Sequence, residues 1–244
     1  MTILADISFL ENLRNSALLF IALVVSITLH EFGHAWMANR RGDPLPRLQG
    51  RVTLDPRAHM DKFGTLILPA LMIFVPALFG SATMFVFGWG KPVQISLPSR
   101  DPKKRKWDDI LITLAGPGVN IILALLSAIA IGIAIGSGSG EQVIQFFALF
   151  MSLNLVLAIF NLIPMPPLDG SHLLFYAVKM RRETFDRLTK NSWWIFLLLI
   201  LLPSPSNSVF SMVMRPIISA LWIPFSHLAG LIAQIIAMLS GSQS

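Results

Sequence analysis

The chain has 244 residues, of which 54% are hydrophobic and only 13% are charged. An ordinary soluble domain carries roughly 25% charged residues, so this composition excludes such a domain and indicates an all-α protein that crosses the membrane several times. There is no cysteine, which excludes disulfide bonds and thiolate metal sites. The net charge of +6 does not indicate nucleic-acid binding, because the basic residues lie in loops between apolar runs, as in cytoplasmic loops of membrane proteins.

The apolar runs predict about five or six membrane-embedded helices. A bilayer core of about 30 Å requires about 20 apolar residues of helix to cross it. In chain order the predicted segments are about Ala17–Asn39, Thr65–Gly88, Ile110–Ile135, Val143–Ile163, Trp193–Leu202 and Val209–Leu239.

The second segment, Thr65–Gly88, is interrupted by two prolines and a glycine. Six Lys or Arg residues lie on each side of it, in 40–62 and in 89–109. A single crossing would place these basic flanks on opposite sides of the membrane, so we predict a re-entrant or hairpin element. Before it, Gly50–Asp55 alternates enough to predict a short membrane-associated β-strand, which could pair with an extended peptide.

The first segment contains three ionisable side chains, His30, Glu31 and His34, in a largely apolar helix. An ionisable residue in mid-membrane costs about 2.5–3.5 kcal/mol, so such residues usually serve a function. On a helix the two histidines lie one turn apart and face the same way. The pattern H-E-x-x-H therefore predicts two zinc ligands, with Glu31 as the general base that accepts a proton from a water on the metal.

A catalytic zinc ion usually takes three protein ligands. After the motif the only glutamates are Glu141, which the predicted topology places on the opposite side, and Glu183, which lies in a solvated basic loop. Asp169 ends a predicted span on the same side as His34 and follows three prolines, which interrupt a regular helix. Asp169 is therefore the preferred third ligand, although a loop that merely ends a span would explain the same residues.

Three motifs in this order resemble the site-2 protease family of intramembrane zinc metallopeptidases. They are "HEFGH" in one span, "AGPGVN" opening another and "NLIPMPPLDG" closing a third. The resemblance covers roughly Ala17–Leu174, and "FGWGKPV" is similar to a stretch of the compact bacterial and archaeal members. Neither the periplasmic insertion nor the C-terminal nucleotide-sensing pair of other members is seen, so their regulation is not carried over.

The resemblance implies roles for individual residues. His30, His34 and Asp169 match the zinc ligands of the family, and Glu31 matches its catalytic glutamate. Asn161 matches an asparagine thought to hold the substrate or its developing oxyanion.

Two further polar residues lie in or near these motifs. Asn120 is a second candidate for substrate or oxyanion binding, but a polar contact between packed helices explains it at least as well. His172 follows the third motif closely and is interpreted as a histidine of a cytosolic loop.

The implied activity is hydrolysis of peptide bonds in or near transmembrane helices, with one zinc ion per chain. Two alternatives stay open. Another class of H-E-x-x-H membrane metallopeptidase would take its third ligand from a downstream glutamate. A membrane metal-binding or transport protein would bind zinc yet lose no enzymatic function when Glu31 is replaced by Gln.

The basic loops predict that the active site faces the cytosol. The resemblance to the compact bacterial and archaeal members implies an integral membrane protein of a prokaryotic plasma membrane. We expect one metalloprotease domain over 1–244, with a catalytic core of about 17–174 and C-terminal helices of about 183–240. The expected partners are the lipid bilayer and a transmembrane or signal-peptide-like substrate, without nucleic acid. The sequence leaves the oligomeric state open.

Overall fold

The computed structural model describes residues 2–81, 86–97, 99, 101–201 and 209–240, and their side chains except those of 2–8, 191, 193–201 and 209–215. These described residues are mostly helical and contain no strand. They fall into two compact units, Met1–Ser96 and Leu97–Ser244. A single metalloprotease domain over 1–244 stays a prediction.

Four helical stretches of the described residues are long and apolar enough to cross a bilayer. They are Phe9–Arg40, Pro102–Gly136, Glu141–Asn161 and Pro216–Leu239. Each coincides with one of the predicted segments, but the predicted total of five to six is not confirmed. The predicted segment Trp193–Leu202 falls within a further helix, Arg182–Leu201, and its last residue lies outside the described residues.

The first unit is built on one long helix that packs against a shorter apolar one. Its elements are α1 (Thr2–Arg40), α2 (Leu45–Leu48), α3 (Pro56–His59), a π-helix (Lys62–Ile67) and α4 (Leu68–Leu78). α1 contacts α4, and the rings of Phe20 and Phe74 lie 5.8 Å apart between them. Leu23 and Ile73 are fully buried in this unit, so the middle of α1 is fixed by packing.

The two ends of the predicted hairpin meet within the first unit. Trp89 N donates to Gly64 O at 3.1 Å, and Thr65 Oγ1 donates to Trp89 O at 2.7 Å. Gly64 permits this approach, because a β-carbon there would stand 2.2 Å from the Trp89 ring. The chain therefore comes back beside the point where it left. This return is compatible with a re-entrant or hairpin element, which stays a prediction.

The strand predicted for Gly50–Asp55 is not formed, since these residues lie in a turn and in bends. Asp55 N donates to Thr53 Oγ1 at 3.2 Å, and the Asp55 carboxylate caps the start of α3. Local bonds of this kind compete with the pairing of a strand to a neighbour. Within the described part of the chain, β-type pairing is limited to one isolated antiparallel bridge, between Met60 and Gly90.

The second unit is a set of packed helices, three of which share an apolar core. Its elements are α5 (Pro102–Gly136), α6 (Glu141–Asn161), α7 (Gly170–Ala177), α8 (Arg182–Leu201) and α9 (Val209–Leu239). α5 packs against both α6 and α9, with Met151 and Leu155 in the shared core. Gly132 lets α9 come close, because a β-carbon there would stand 2.6 Å from Ala229 O. Small residues at such contacts are typical of helices packed in a membrane.

Candidate active site

The imidazole nitrogens of His30 and His34 meet on one face of α1. Both residues are 8% exposed, their Nε2 atoms lie 3.1 Å apart, and their rings stand edge to face. Two nitrogens bound at about 2.0–2.1 Å to one tetrahedral zinc ion are about 3.3 Å from each other. Because the observed separation is close to this value, the pair fits two corners of a zinc site, as the spacing in the sequence predicts.

Glu31 lies beside a buried cation that sequence analysis did not single out. Its side chain is 13% exposed, and Oε2 is 4.0 Å from Nη2 of Arg51. The Arg51 guanidinium donates to the backbone carbonyls of Ala58 and Lys91. Burial lowers the pKa of Arg51, and the Glu31 carboxylate opposes that shift. The predicted general base is thus next to a fixed positive charge.

Asp169 lies in the second unit, immediately before α7. α6 ends at Asn161 and α7 begins at Gly170, so the proline-rich run interrupts the helix as predicted. A β-carbon at Gly170 would stand 2.2 Å from Leu162 O, a backbone atom that has little room to give way. The glycine of the motif therefore allows the tight turn that carries Asp169.

A buried carboxylate of α5 anchors α7 just after this turn. Tyr176 Oη donates to Asp109 Oδ2 at 2.8 Å, and the same oxygen is 3.2 Å from His172 Nδ1. Burial and the neighbouring Asp109 carboxylate raise the pKa of Tyr176, which keeps its hydroxyl protonated as a donor. His172, interpreted from the sequence as a loop residue, belongs instead to the first turn of α7. These bonds fix the helix that begins directly after Asp169.

The two asparagines of the motifs also lie in the second unit. Asn161 ends α6, and its amide donates to Leu157 O at 2.9 Å. Asn120 is fully buried in α5 and donates to Asn154 Oδ1 of α6 at 2.8 Å. This is the contact between packed helices that the sequence left open for Asn120. A substrate contact by either motif asparagine stays a prediction.

The glutamates considered as alternative third ligands are both exposed. Glu141 opens α6 and accepts a hydrogen bond from the Gln145 amide at 2.8 Å. It lies about 30 Å along α6 from Asn161, because each residue of a helix rises 1.5 Å. Glu183 lies in the first turn of α8. Neither position favours metal binding.

A comparison with known protein families identifies the class of protein. The model of Peptidase family M50 matches residues 18–139 and 130–203. The chain therefore belongs to peptidase family M50, the family of the site-2 proteases that the three sequence motifs resemble.

Curated relatives support the same assignment. The chain is 33% identical over 202 residues to the protein named "Putative zinc metalloprotease YwhC" of Bacillus subtilis, an alignment that covers 80% of this chain and 85% of the relative. It is 32% identical over 191 residues to "Putative zinc metalloprotease Rip2" of Mycobacterium tuberculosis, covering 77% and 67%. It is 26% identical over 190 residues to "Zinc metalloprotease MJ0392" of Methanocaldococcus jannaschii, covering 78% and 42%. No solved structure matches the chain.

The family and the fold together define a zinc metalloprotease that is an integral membrane protein. Zinc is its cofactor, and the donor pair of α1 fits that metal. The family supports a zinc metalloprotease over the alternative of a metal-binding or transport protein without proteolytic activity.

Proposed function

We propose that the protein is an intramembrane endopeptidase that hydrolyses peptide bonds in or near the transmembrane helices of other proteins. One observation carries this proposal. The paired histidines, with Nε2 atoms 3.1 Å apart, lie in Phe9–Arg40, a helix long and apolar enough to cross the membrane. A protease with its metal ligands in such a helix would meet its substrate within the membrane, which supports the proposal.

The zinc ligands of this proposal are His30, His34 and Asp169, each of which offers one ligand atom of a kind that zinc accepts. When bound, zinc supplies a Lewis acid and lowers the pKa of a coordinated water to about 7. Glu31 accepts the proton of the attacking water and then delivers it to the leaving amine. Asn161 holds the substrate carbonyl, and Asn120 is the second candidate for this contact.

The substrate is a transmembrane or signal-peptide-like segment that has to unwind before cleavage. A helix keeps its carbonyls in internal hydrogen bonds, so the scissile carbonyl becomes accessible only when those bonds break. Helix-breaking residues near the scissile bond should therefore favour cleavage. The hairpin whose ends meet at Gly64 and Trp89 is the element that would hold the unwound chain. Deleting it without loss of cleavage would contradict that role.

We further propose a plasma membrane location in a prokaryote, with the active site on the cytosolic side. The basic stretches 40–62, 89–109 and 179–190 support this orientation, because such residues favour the cytosol. If the hairpin and α8 are both membrane-embedded, the four long apolar helices become part of a set of six. The bilayer and the substrate are the partners, no nucleic acid is involved, and the oligomeric state is open.

The first experiment measures zinc in detergent-purified wild type, His34→Ala and Asp169→Ala by mass spectrometry. We expect about one zinc per chain in the wild type and a sharp loss in both variants, since three protein ligands are usual for catalytic zinc. Zinc lost in His34→Ala but fully kept in Asp169→Ala would remove Asp169 from the ligand set.

The second experiment measures cleavage of a transmembrane substrate reconstituted with the enzyme in lipid vesicles. Glu31→Gln keeps the size of the side chain but removes the base, so we expect retained zinc and a loss of cleavage of about 100-fold or more. A soluble peptide with the same cleavage sequence is the control substrate. Cleavage of that peptide alone would contradict intramembrane proteolysis.

A further inference from the structure

Arg51 is unusual among the basic residues of this chain because its side chain is buried. It is 3% exposed, whereas every other Lys or Arg whose side chain the structure describes is partly or fully exposed. A buried guanidinium is costly unless charged and polar groups surround it. The groups that Arg51 contacts therefore indicate its role in the protein.

The Arg51 guanidinium connects three separate segments of the first unit. It donates to Ala58 O in α3 and to Lys91 O in the segment that returns from the hairpin. Its Nη2 atom also lies 4.0 Å from Oε2 of Glu31 in α1. The planar fork of arginine suits such a site, because it presents several donors in a fixed geometry.

The two segments bound by Arg51 are also joined to each other beside Glu31. Lys91 N donates to His59 O at 2.7 Å, next to the bridge between Met60 and Gly90. Gly90 itself packs on Glu31, since a β-carbon at this glycine would stand 2.5 Å from Glu31 Cγ. Arg51 therefore lies within ion-pair distance of the carboxylate and also binds the backbone that packs on the same side chain.

We infer that Arg51 is a positioning residue for Glu31: it holds the carboxylate and the Gly90–Lys91 backbone in one arrangement for the hydrolytic step. This inference rests on the proposed function, because it takes Glu31 as the base. In this inference Arg51 acts through Glu31 and not by contact with the substrate or the metal. Its removal should lower kcat, with much smaller effects on KM and on zinc content.

The test compares Arg51→Met, Arg51→Lys and Arg57→Met in the vesicle assay, with zinc content measured for each. Arg57 is the matched control, because it lies six residues further along in α3, its side chain is 84% exposed, and it pairs with Asp55. We expect kcat to fall about 10-fold or more in Arg51→Met, part of the roughly 100-fold or greater contribution of a general base. Arg51→Lys should recover part of this loss, because lysine keeps the charge but not the fork. Arg57→Met should match the wild type.

A second readout does not depend on activity. Amide hydrogen exchange of the peptide covering 88–93 is measured in zinc-free wild type, Arg51→Met, Glu31→Gln and Arg57→Met. Faster exchange than in the wild type is expected in Arg51→Met and in Glu31→Gln, but not in Arg57→Met. This result would show that the Glu31 carboxylate and the 88–93 backbone are linked through Arg51. Unchanged exchange in Arg51→Met would overturn the inference.

The remaining outcomes also decide the question. Wild-type kcat in Arg51→Met, or a rise in KM with kcat unchanged, would overturn a role through Glu31. If Arg51→Met does not fold, Arg51→Lys decides: a lowered kcat with full zinc supports the inference, and wild-type kcat overturns it. Absence of cleavage by the wild type itself would instead contradict the proposed function, while hydrogen exchange still tests the link.

Discussion

Gly90 lies so close to Glu31 that the structure leaves no room for a side chain between them. A β-carbon at Gly90 would stand 2.5 Å from Cγ and 2.8 Å from Oε1 of Glu31. Contacts shorter than 3.0 Å force one of the two groups to move. Since backbone bonds hold Lys91 and bridge Gly90 to Met60, the side chain of Glu31 is the group that would yield.

Gly90→Ala is therefore expected to lower cleavage by about 10-fold while zinc content stays near one per chain. The added methyl displaces the Glu31 carboxylate, and a base must lie within hydrogen-bond reach of the proton it takes. Vesicle cleavage assays and metal analysis measure the two effects. Gly118→Ala is the control, because its β-carbon would meet nothing within 4 Å. Full activity in Gly90→Ala would show that Glu31 tolerates displacement.

The Tyr176–Asp109 bond predicts a specific loss of stability in the second unit. Tyr176→Phe removes one donor from a buried carboxylate, and a hydrogen bond to a charged group contributes about 1.5–3 kcal/mol. Because His172 still faces Asp109, we expect a loss of about 1–2 kcal/mol in the free energy of unfolding, measured by denaturant titration in detergent micelles.

Gln145→Ala serves as the comparison for Tyr176→Phe, because it removes a side-chain hydrogen bond between exposed residues of α6. Its expected effect is within about 0.5 kcal/mol, as for most surface substitutions. Equal stabilities of the two variants would mean that Asp109 does not anchor α7.

The parts of the site that follow from local spacing could be predicted from the sequence. His30 and His34 share a helix face because of the helical repeat, and the proline run before Asp169 interrupts α6 because proline does not continue a helix interior. The shared helix face of the two histidines and the break in the helix needed no tertiary information.

Other features depend on contacts between distant segments and carry no local signal. In the sequence Arg51 is one of many basic loop residues, and only the tertiary fold brings Ala58, Lys91 and Glu31 around it. The strand predicted at Gly50–Asp55 is wrong because of local bonds and not because of contacts between distant segments. Local bonds to the Thr53 and Asp55 side chains outweigh strand pairing there.

The burial of His59 leads us to expect that the first unit loses stability at acidic pH. It is fully buried, its Nε2–H donates to Thr53 O at 2.8 Å, and burial lowers its pKa below the usual 6.5. Arg51 lowers this pKa as well, whereas the Thr53 bond and Asp55 raise it. The unfolded chain therefore binds a proton at His59 at a higher pH than the folded chain does. The contribution of neutral His59 to stability is present above pH 6.5 and is lost as the pH falls through the folded pKa.

The measurement is the thermal unfolding midpoint of the detergent-purified protein from pH 5 to pH 7.5. We expect the wild type to lose stability on acidification more steeply than His59→Gln, which has no proton to bind. His227→Gln controls for general effects of removing a histidine, because His227 is exposed. Identical pH profiles of wild type and His59→Gln would assign the acid response to other groups.

Asn120 and Asn161 are expected to differ in how they affect stability and cleavage. Asn120 is fully buried and bonded to Asn154, so Asn120→Ala should lower stability by about 1 kcal/mol, near the values measured for polar contacts between membrane helices. Cleavage per folded enzyme should then change less than about 2-fold. Among the described residues, the Asn161 side chain bonds only to the backbone of its own helix. Asn161→Ala should therefore leave stability unchanged while cleavage falls by about 10-fold or more, as for the loss of an oxyanion donor.

Asn154→Ala completes this comparison, because it removes the other half of the buried pair without touching a motif residue. If Asn120 acts only in packing, the double variant should cost less than the sum of the two single variants, since both remove the same bond. A loss of kcat in Asn120→Ala that Asn154→Ala does not share would instead place Asn120 at the substrate.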